Sequence, residues 1–508
     1  MSDIVLIFPK TGFDLGASVA PPHSLLTIAA PLKKAGYKIK IIDQRINTLW
    51  KDELREELKS GPLCVGISSM TGSQINFALE TARLVRQVAK QEKMPIVWGG
   101  PHPSILPTET LENEFVDIVV IGEGDITFFE LVRAIEDKKS FRDVKGIAYK
   151  ENGNIIVNPP RELLDVQMLL LTPWDLVDVE KYIHPDFYLK KTNRTLDIGQ
   201  TSRGCPYQCG FCCSATIRKR LWRPMSLKKS LNFIINDVQR FNLDGIWLRD
   251  DNFYVDSERT KAICQGMVDA KLKIDWYSSG TRVDTFLKLT PDTIRAMRDS
   301  GAHVLKFGAE SGSNRILNLI KKGITVEQTF LSNLKAKEWG IRPAYSFMAG
   351  FPGETFEEVN MTIDAMNKLV KDNPDVELES ICIYTALPGT PMYELAISCG
   401  LNPPKNLEEW SNWTFHEYAE ERKNPWFSKQ DRLALGNLTY LSTTAFAVAN
   451  LLRTIRSPLL KILAQIFVLP ITKYCEFRFK HKLYRFAPEL KIISYLRKKI
   501  FDRIHVKI

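Results

Sequence analysis

Apolar, β-branched runs recur along the first third of the chain at 3–8, 37–43, 64–69, 95–98 and 117–121, and helical patterns lie between them at 24–35, 73–91 and 126–137. Strands alternating with helices of this length predict an α/β fold with a doubly wound, Rossmann-like parallel sheet. Such sheets bind ligands beyond the carboxyl ends of their strands. The unusual residues stand at those ends. Pro21-Pro22-His23 follows the first run and Ser68-Ser69-Met70-Thr71-Gly72 the third. Gly99-Gly100-Pro101-His102 follows the fourth and Gly122-Glu123-Gly124-Asp125 the fifth. Glycines there let a ligand approach the backbone, and small hydroxyls can hydrogen-bond it. Each cluster taken alone is also what an ordinary turn requires. No Gly-x-Gly-x-x-Gly and no phosphate-loop Gly-Lys-Ser/Thr occurs here, so a nicotinamide or ATP site lacks support.

A connector follows. Residues 146–157 read as a hairpin turning at Asn152-Gly153. Pro159-Pro160 then breaks regular structure, and 164–182 is an ordered linker with apolar anchors such as Trp174.

The sharpest signal is Cys205-x-x-x-Cys209-x-x-Cys212, within Thr201-Ser202-Arg203-Gly204-Cys205-Pro206-Tyr207-Gln208-Cys209-Gly210-Phe211-Cys212. Three closely spaced thiolates can wrap an iron–sulfur cube. A [4Fe-4S] cluster held by three would keep one iron open for the amino and carboxylate groups of S-adenosylmethionine (SAM). A closed zinc site wants four ligands, and no second Cys-x-x-Cys or His pair lies at suitable spacing. Cys213 should point away from Cys212. Cys64, Cys264, Cys382, Cys399 and Cys475 stand alone, as core or surface thiols do.

The cysteine motif resembles that of the radical SAM superfamily, and residues 1–140 resemble the cobalamin-binding domain found ahead of many of its members. Those resemblances imply a cobalamin site at Pro21, Pro22, Ser68, Met70, Thr71, Gly99, Gly100, Pro101, His102, Gly122, Glu123 and Gly124. The Asp-x-His-x-x-Gly motif of mutases is absent, which implies cobalamin without a protein histidine below cobalt; His23 and His102 could still contact its tail or the metal. Downstream, strands and helices alternate again from 195 to about 395, predicting a partial (β/α)6 barrel. The resemblance sets Cys205, Cys209 and Cys212 on the cluster and Phe211 against adenine. Asp250 and Asp251, in an Asp-Asp-x-Phe variant of the common Gly-Gly-Glu, contact the methionine end. Ser278 and Arg282 offer SAM or carboxylate contacts. Glu310 and Ser311 of Gly-x-Glu-Ser-Gly lie near the ribose, and Gly350 and Gly353 of Gly-x-Pro-Gly-Glu-Thr near the adenine. Alone, Asp251 or Glu310 is as well explained by a helix cap or a basic partner.

Charge changes the picture only at the C-terminus. Residues 421–508 hold 18 Lys and Arg against 5 Asp and Glu, a net +13, whereas the rest of the chain nets −3. The uncharged stretch 433–452 carries too many polar residues to span a bilayer and reads as a packed or interfacial helix. Residues 458–470 are short and apolar, 477–486 interleave aromatics with cations, and 491–499 add Lys491, Arg497, Lys498 and Lys499. Basic residues beside apolar anchors suit an anionic membrane surface. A helical cap over the barrel is the alternative, with nucleic acid third. The expected organisation is 1–144 cobalamin-binding, 145–194 connector, 195–400 radical SAM, and 401–508 basic and partly amphipathic.

Nine cysteines in 508 residues do not frame a secreted protein. The N-terminal run lacks a basic flank and reads as a strand rather than a signal peptide. A cytoplasmic enzyme is expected, peripheral at the inner membrane face if the tail binds lipid. The resemblance implies cleavage of SAM and functionalisation of an unactivated carbon, with C-methylation of an apolar lipid, isoprenoid or tetrapyrrole-like substrate first. Oxidative cyclisation, as in the anaerobic magnesium-protoporphyrin ester cyclase, is the second outcome, and a non-catalytic cobalamin or cluster-dependent sensor the alternative of another class. A flavodoxin or ferredoxin type one-electron donor is implied.

Overall fold

A computed structural model describes residues 2–12, 14, 19–89, 94–186, 188–189, 191–413, 424–448 and 458–486. The basic run 491–499, with the ends of the stretches expected at 73–91 and 433–452, lies outside the described residues.

The N-terminal alternation folds as β1 (Ile4–Phe8), α1 (His23–Lys34), β2 (Ile39–Asp43), α2 (Trp50–Leu58), β3 (Cys64–Ser68), α3 (Ser73–Val88), β4 (Ile96–Gly99), α4 (Pro101–Ile105), α5 (Pro107–Glu112), β5 (Ile118–Val120) and α6 (Gly124–Glu136). The parallel strands run β2-β1-β3-β4-β5. All five residues of central β3 are buried, as helices on both faces require. Helices α2, α4 and α5 were not among the expected elements. The first buries a single stripe of Trp50, Leu54 and Leu58. The other two start on Pro101 and Pro107, whose missing N–H is harmless in a first turn.

The expected hairpin forms as β6 (Ile147–Glu151) and β7 (Asn154–Val157), and it joins the sheet, β6 pairing antiparallel with β5. Its turn residues Asn152 and Gly153 both have positive φ, 52° and 81°, the backbone that an Asn-Gly turn supplies.

The barrel comprises β8 (Thr195–Gly199), β9 (Ser202–Arg203), α7 (Ser214–Ile217), β10 (Arg223–Pro224), α8 (Leu227–Arg240), β11 (Gly245–Leu248), α9 (Ser257–Asp269), β12 (Asp275–Ser278), α10 (Val283–Lys288), α11 (Pro291–Asp299), β13 (Val304–Glu310), α12 (Asn314–Leu319), α13 (Val326–Glu338), β14 (Arg342–Ala349), α14 (Phe356–Asp372) and β15 (Glu377–Ile383). Parallel sheets β8-β11-β12 and β13-β14-β15 meet through a parallel bridge between Thr281 and Phe307. Six parallel strands thus make the partial barrel that the alternation predicted.

The C-terminal segment does two things. Helix α15 (Pro391–Ser398) leads to α16 (Leu407–Ser411), which returns to the N-terminal domain, where Trp410 meets His102 edge-on. Helix α17 (Lys429–Ser442) and a π-helical turn, 443–448, cover the last barrel strand, and Ser442 Oγ accepts the Ile381 N–H at 3.0 Å. An uncovered barrel edge would invite pairing with other strands. Two helices follow, α18 (Pro458–Phe467) and α19 (Leu469–Lys480).

Trp174 fastens the connector. It is fully buried, edge-on to His23 of α1 and to Phe241 beyond α8, each at 5.8 Å between ring centroids. Trp174→Ala is expected to destabilise the protein by about 3–5 kcal/mol, read as a lower denaturation midpoint; an unchanged midpoint would show that the ring does not bridge the domains.

Candidate functional site

The carboxyl ends of the two sheets face one another across a cavity of about 480 Å³. From the N-terminal sheet come Ser68, Gly99, Gly100, Pro101, Gly122, Glu123 and Gly124, seven of the expected cobalamin contacts. From the barrel come the end of β8 (Ile198, Gly199, Gln200), with Arg203, Cys213, Arg249 and Asp251. The walls between are apolar, with Ile28, Val97, Val120, Phe128 and Phe233. The other five expected contacts do not line it. Pro21 and Pro22 are buried at the start of α1, where their carbonyls accept helix N–H groups. Met70 is exposed, and Thr71 Oγ1 lies 3.0 Å from His102 Nδ1. His102 is neither a surface residue nor a cavity one. It is wholly buried, and desolvation pushes its pKa down to about 4, so it is neutral there.

The cysteines sit on the loop between β9 and α7, positioned from several strands. Gly204 has φ +86°, and a Cβ there would meet Leu221 O at 2.0 Å, so only glycine lets the chain turn into Cys205. Asp251 Oδ2 accepts the Gly204 N–H at 2.8 Å. Arg282 lies over the Tyr207 ring at 3.7 Å, and its Nη1 donates to Cys209 Sγ at 3.6 Å. Cys205, Cys209 and Cys212 are free thiols, each partly exposed. No three His, Cys, Asp or Glu side chains among the described residues converge on a single metal ion. A cube does not need that convergence, because each thiolate binds a different iron. Cys213 lines the interdomain cavity, whereas Cys212 does not.

The expected SAM residues divide. Phe211 lies 6.2 Å from Phe351, bringing the cysteine loop to the Gly350–Gly353 turn. Glu354 closes that turn by accepting the Gly350 and Phe351 N–H groups on Oε2. Burial outweighs those bonds and pushes its carboxyl up to about 8, and Oε1 has no partner. Asp250 is fully occupied, taking the Thr201 N–H and the Thr201 and Ser202 hydroxyls. Ser278 is buried and bonds the Ser279 carbonyl at 3.0 Å. Glu310, at φ +66°, pairs with buried Lys322 at 2.6 Å. Ser311 Oγ accepts the Ser313 N–H at 3.1 Å. These four hold the barrel rim in shape.

A set of charges absent from the sequence reading joins the domains. Glu123 receives Arg223 at 2.6 and 3.0 Å, Arg218, and the Leu164 N–H at 3.0 Å. Asp125 takes Arg203 in a two-pronged bond at 2.9 and 3.0 Å. Burial alone would raise the Glu123 carboxyl, but the Arg223 bond and the three arginine charges hold it at about 2. On another wall, His23 Nε2 meets Asp197 Oδ1 at 3.0 Å, and Arg249 pairs with Oδ2. Buried Asp197 is held at about 2, burial again being overcome by those two groups. Arg203 precedes the first cysteine by two residues, the one local hint of its importance.

A B12 binding domain model matches residues 16–132 and a radical SAM superfamily model residues 200–366. An uncharacterized methyltransferase of Pyrococcus horikoshii is 33% identical over 418 residues, 81% of this chain and 85% of that protein. The chain belongs to the radical SAM enzymes that carry a B12-binding domain. The anaerobic magnesium-protoporphyrin IX monomethyl ester cyclase of Rubrivivax gelatinosus is 27% identical over 398 residues, 75% of this chain and 67% of that one. Among solved structures, the cobalamin-dependent SAM radical enzyme OxsB superposes with a TM-score of 0.74 at 19% identity, over 98% of this chain and 75% of that one. The radical SAM methyltransferase TsrM from Kitasatospora setae gives 0.66 at 17%, over 85% and 90%. At such identities the two likenesses bear on the fold alone.

The residues present fit the cofactors of a B12-binding radical SAM enzyme. Cys205, Cys209 and Cys212 are partly exposed free thiols on one loop, the donor set that an iron–sulfur cluster takes. On the cavity wall, Gln200 Oε1 and Ser214 Oγ are buried without protein partners, open to a polar ligand beside the strand-end glycines.

Glu123 should control acid stability. A carboxyl at about 2 in the fold, against an ordinary 4.5, stabilises above pH 4.5 and loses that contribution as pH falls towards 2. Glu123→Gln is therefore expected to lower stability by roughly 3 kcal/mol near neutral pH, the gap to wild type closing as pH falls from about 4.5 to about 2. Denaturation midpoints across that range check it; a gap independent of pH would contradict it.

Proposed function

We propose that the enzyme methylates an unactivated carbon of a small, largely apolar molecule held between the two domains. The observation that carries this reading is the cavity with the B12-domain glycines on one side and Arg203, Cys213 and Asp251, beside the cysteine loop, on the other. When bound, the cluster with SAM would supply hydrogen-atom abstraction, and cobalamin the methyl group.

The chain's own residues would do the rest. Cys205, Cys209 and Cys212 hold the cluster, with Arg282 beside Cys209 offsetting its negative charge. Phe211 and the Gly350–Gly353 turn form one end of a SAM cradle, with Glu354 Oε1 buried beside it without a protein partner. Asp251 fixes the loop through Gly204 and borders the cavity. The apolar walls exclude water from a reactive carbon. The partners of this reading are a flavodoxin or ferredoxin type electron donor and an anionic membrane surface.

Oxidative ring closure is a second reading. It is favoured by the 27% identity with the Rubrivivax cyclase.

Anaerobic protein reconstituted with iron, sulfide and cobalamin, reduced and given SAM, is expected to form methylcobalamin and S-adenosylhomocysteine together. Cobalamin bound but never methylated would reject methylation and leave ring closure. Cys209→Ala should reduce SAM cleavage to background; persistent cleavage would remove the cluster assignment.

A further inference from the structure

Helix α18 and the start of α19 leave an apolar face uncovered. Leu459, Ile462, Ile466, Phe467, Ile471 and Phe477 are each 51–67% exposed. Leu459, Ile462, Leu463 and Ile466 follow i, i+3, i+4, i+7 spacing, so they share one stripe of α18. This is not the remainder of a core. Helix α19 is anchored on its other side by buried Thr472, Cys475 and Phe479, with Phe479 edge-on to Phe446 at 5.2 Å. Its end is tied to the barrel through Asn367 Nδ2, 3.3 Å from the Lys480 carbonyl, and through Tyr484 to Asn360. The anchored α19 thus carries α18, and together they present large side chains to solvent.

Charge says what could cover it. Residues 458–486 contain six Lys and Arg against one Glu. Lys482 pairs with Asp364, Arg485 with Asp431, and Arg478 is buried, so among the described residues the exposed cations beside the face are Lys480 and Lys473, the latter meeting Glu476 at 2.7 Å. An apolar face rimmed by cations matches an anionic bilayer surface, where chains take up the apolar groups and headgroups the cations. No helix among the described residues is long and apolar enough to cross a membrane, so the fitting geometry is insertion along the surface.

We propose that the α18–α19 segment docks the enzyme on an anionic phospholipid surface, with Ile462, Ile466 and Phe467 entering the acyl region and Lys473 and Lys480 lying at the headgroups. It deepens the membrane partner of the reading above and stands apart from the cavity chemistry, so SAM cleavage and membrane binding can fail separately.

The test is flotation of the full chain with phosphatidylglycerol-containing vesicles and with phosphatidylcholine vesicles. Wild type is expected to float with the former, less as salt rises. Ile462→Glu with Ile466→Glu should weaken partitioning by at least about tenfold while SAM cleavage stays at the wild-type level. Lys473→Glu with Lys480→Glu, which leaves the apolar face intact, should abolish the preference for anionic lipid. No flotation of wild type, or flotation unchanged in both variants, would overturn the proposal. Self-association relieved by the Glu variants without vesicle binding would also overturn it, by assigning the face to a second copy.

Discussion

The molecule depends on a handful of buried ion pairs between its two domains. An interface with a large cavity at its centre cannot be held by continuous apolar contact, because the walls around Ile28, Phe128 and Phe233 line the cavity rather than meet across it. Glu123 and Asp125 meet Arg203, Arg218 and Arg223 on one side, and His23 meets Asp197 on another. Desolvating such groups costs several kcal/mol per ion, so they are weak contributors to net stability. What they supply is geometry. A two-pronged arginine–carboxylate pair has a preferred plane and separation, which an aliphatic contact lacks. Arg203 lies two residues before Cys205, so the Asp125 pair sets the cysteine loop against the glycine cluster of the other domain.

The same economy runs through the cysteine loop. It contains little regular structure, yet it is fixed from above and below. Asp250 and Asp251 are adjacent at the end of one strand and point to different parts of it: Asp250 to Thr201 and Ser202, Asp251 to Gly204. Arg282, beyond the next strand, reaches Cys209, and the Gly210 N–H donates to Ile320 O at 2.8 Å. A loop tied at its start and at its middle can present three thiols in a constant arrangement without a helix or strand of its own.

How much of this the chain announces depends on range. The alternation of buried runs and helical patterns carried both sheets, since periodicity is a local property, and the cysteine spacing is local too. The Asn152-Gly153 turn was legible, but not that its hairpin extends the first sheet, because pairing with β5 is a through-space fact. Arg203 and Asp125 are 78 residues apart and Arg223 and Glu123 are 100 apart, so no spacing rule reaches them. The two expected cofactor residues that proved most fully committed elsewhere follow the same logic. Asp250 and Glu310 stand at strand ends, where motif and structural partner look alike until Thr201 or Lys322 is seen beside them. His102 stands off the cavity for another reason: α4 carries the ring inward against Trp410, 308 residues later.

The C-terminal segment combines a cap over the barrel with a helix face left open to solvent. A cap must bury its apolar side, and 429–448 does so: Ala434, Leu435, Leu438 and Leu441 face the last barrel strand, and Ser442 closes a hydrogen bond at its edge. A docking element must leave its apolar side open, and α18 does that. The change falls between residues 448 and 458, where composition changes as well. Small and polar residues such as Thr443, Thr444 and Ala445 pack closely against a strand, whereas Leu459, Ile462 and Phe467 are too large and too numerous for a surface that had no second layer to bury them. Exposing them in water is unfavourable by an amount that grows with each side chain. Their exposure on α18, next to the anchored α19, is the feature on which the proposed surface contact rests.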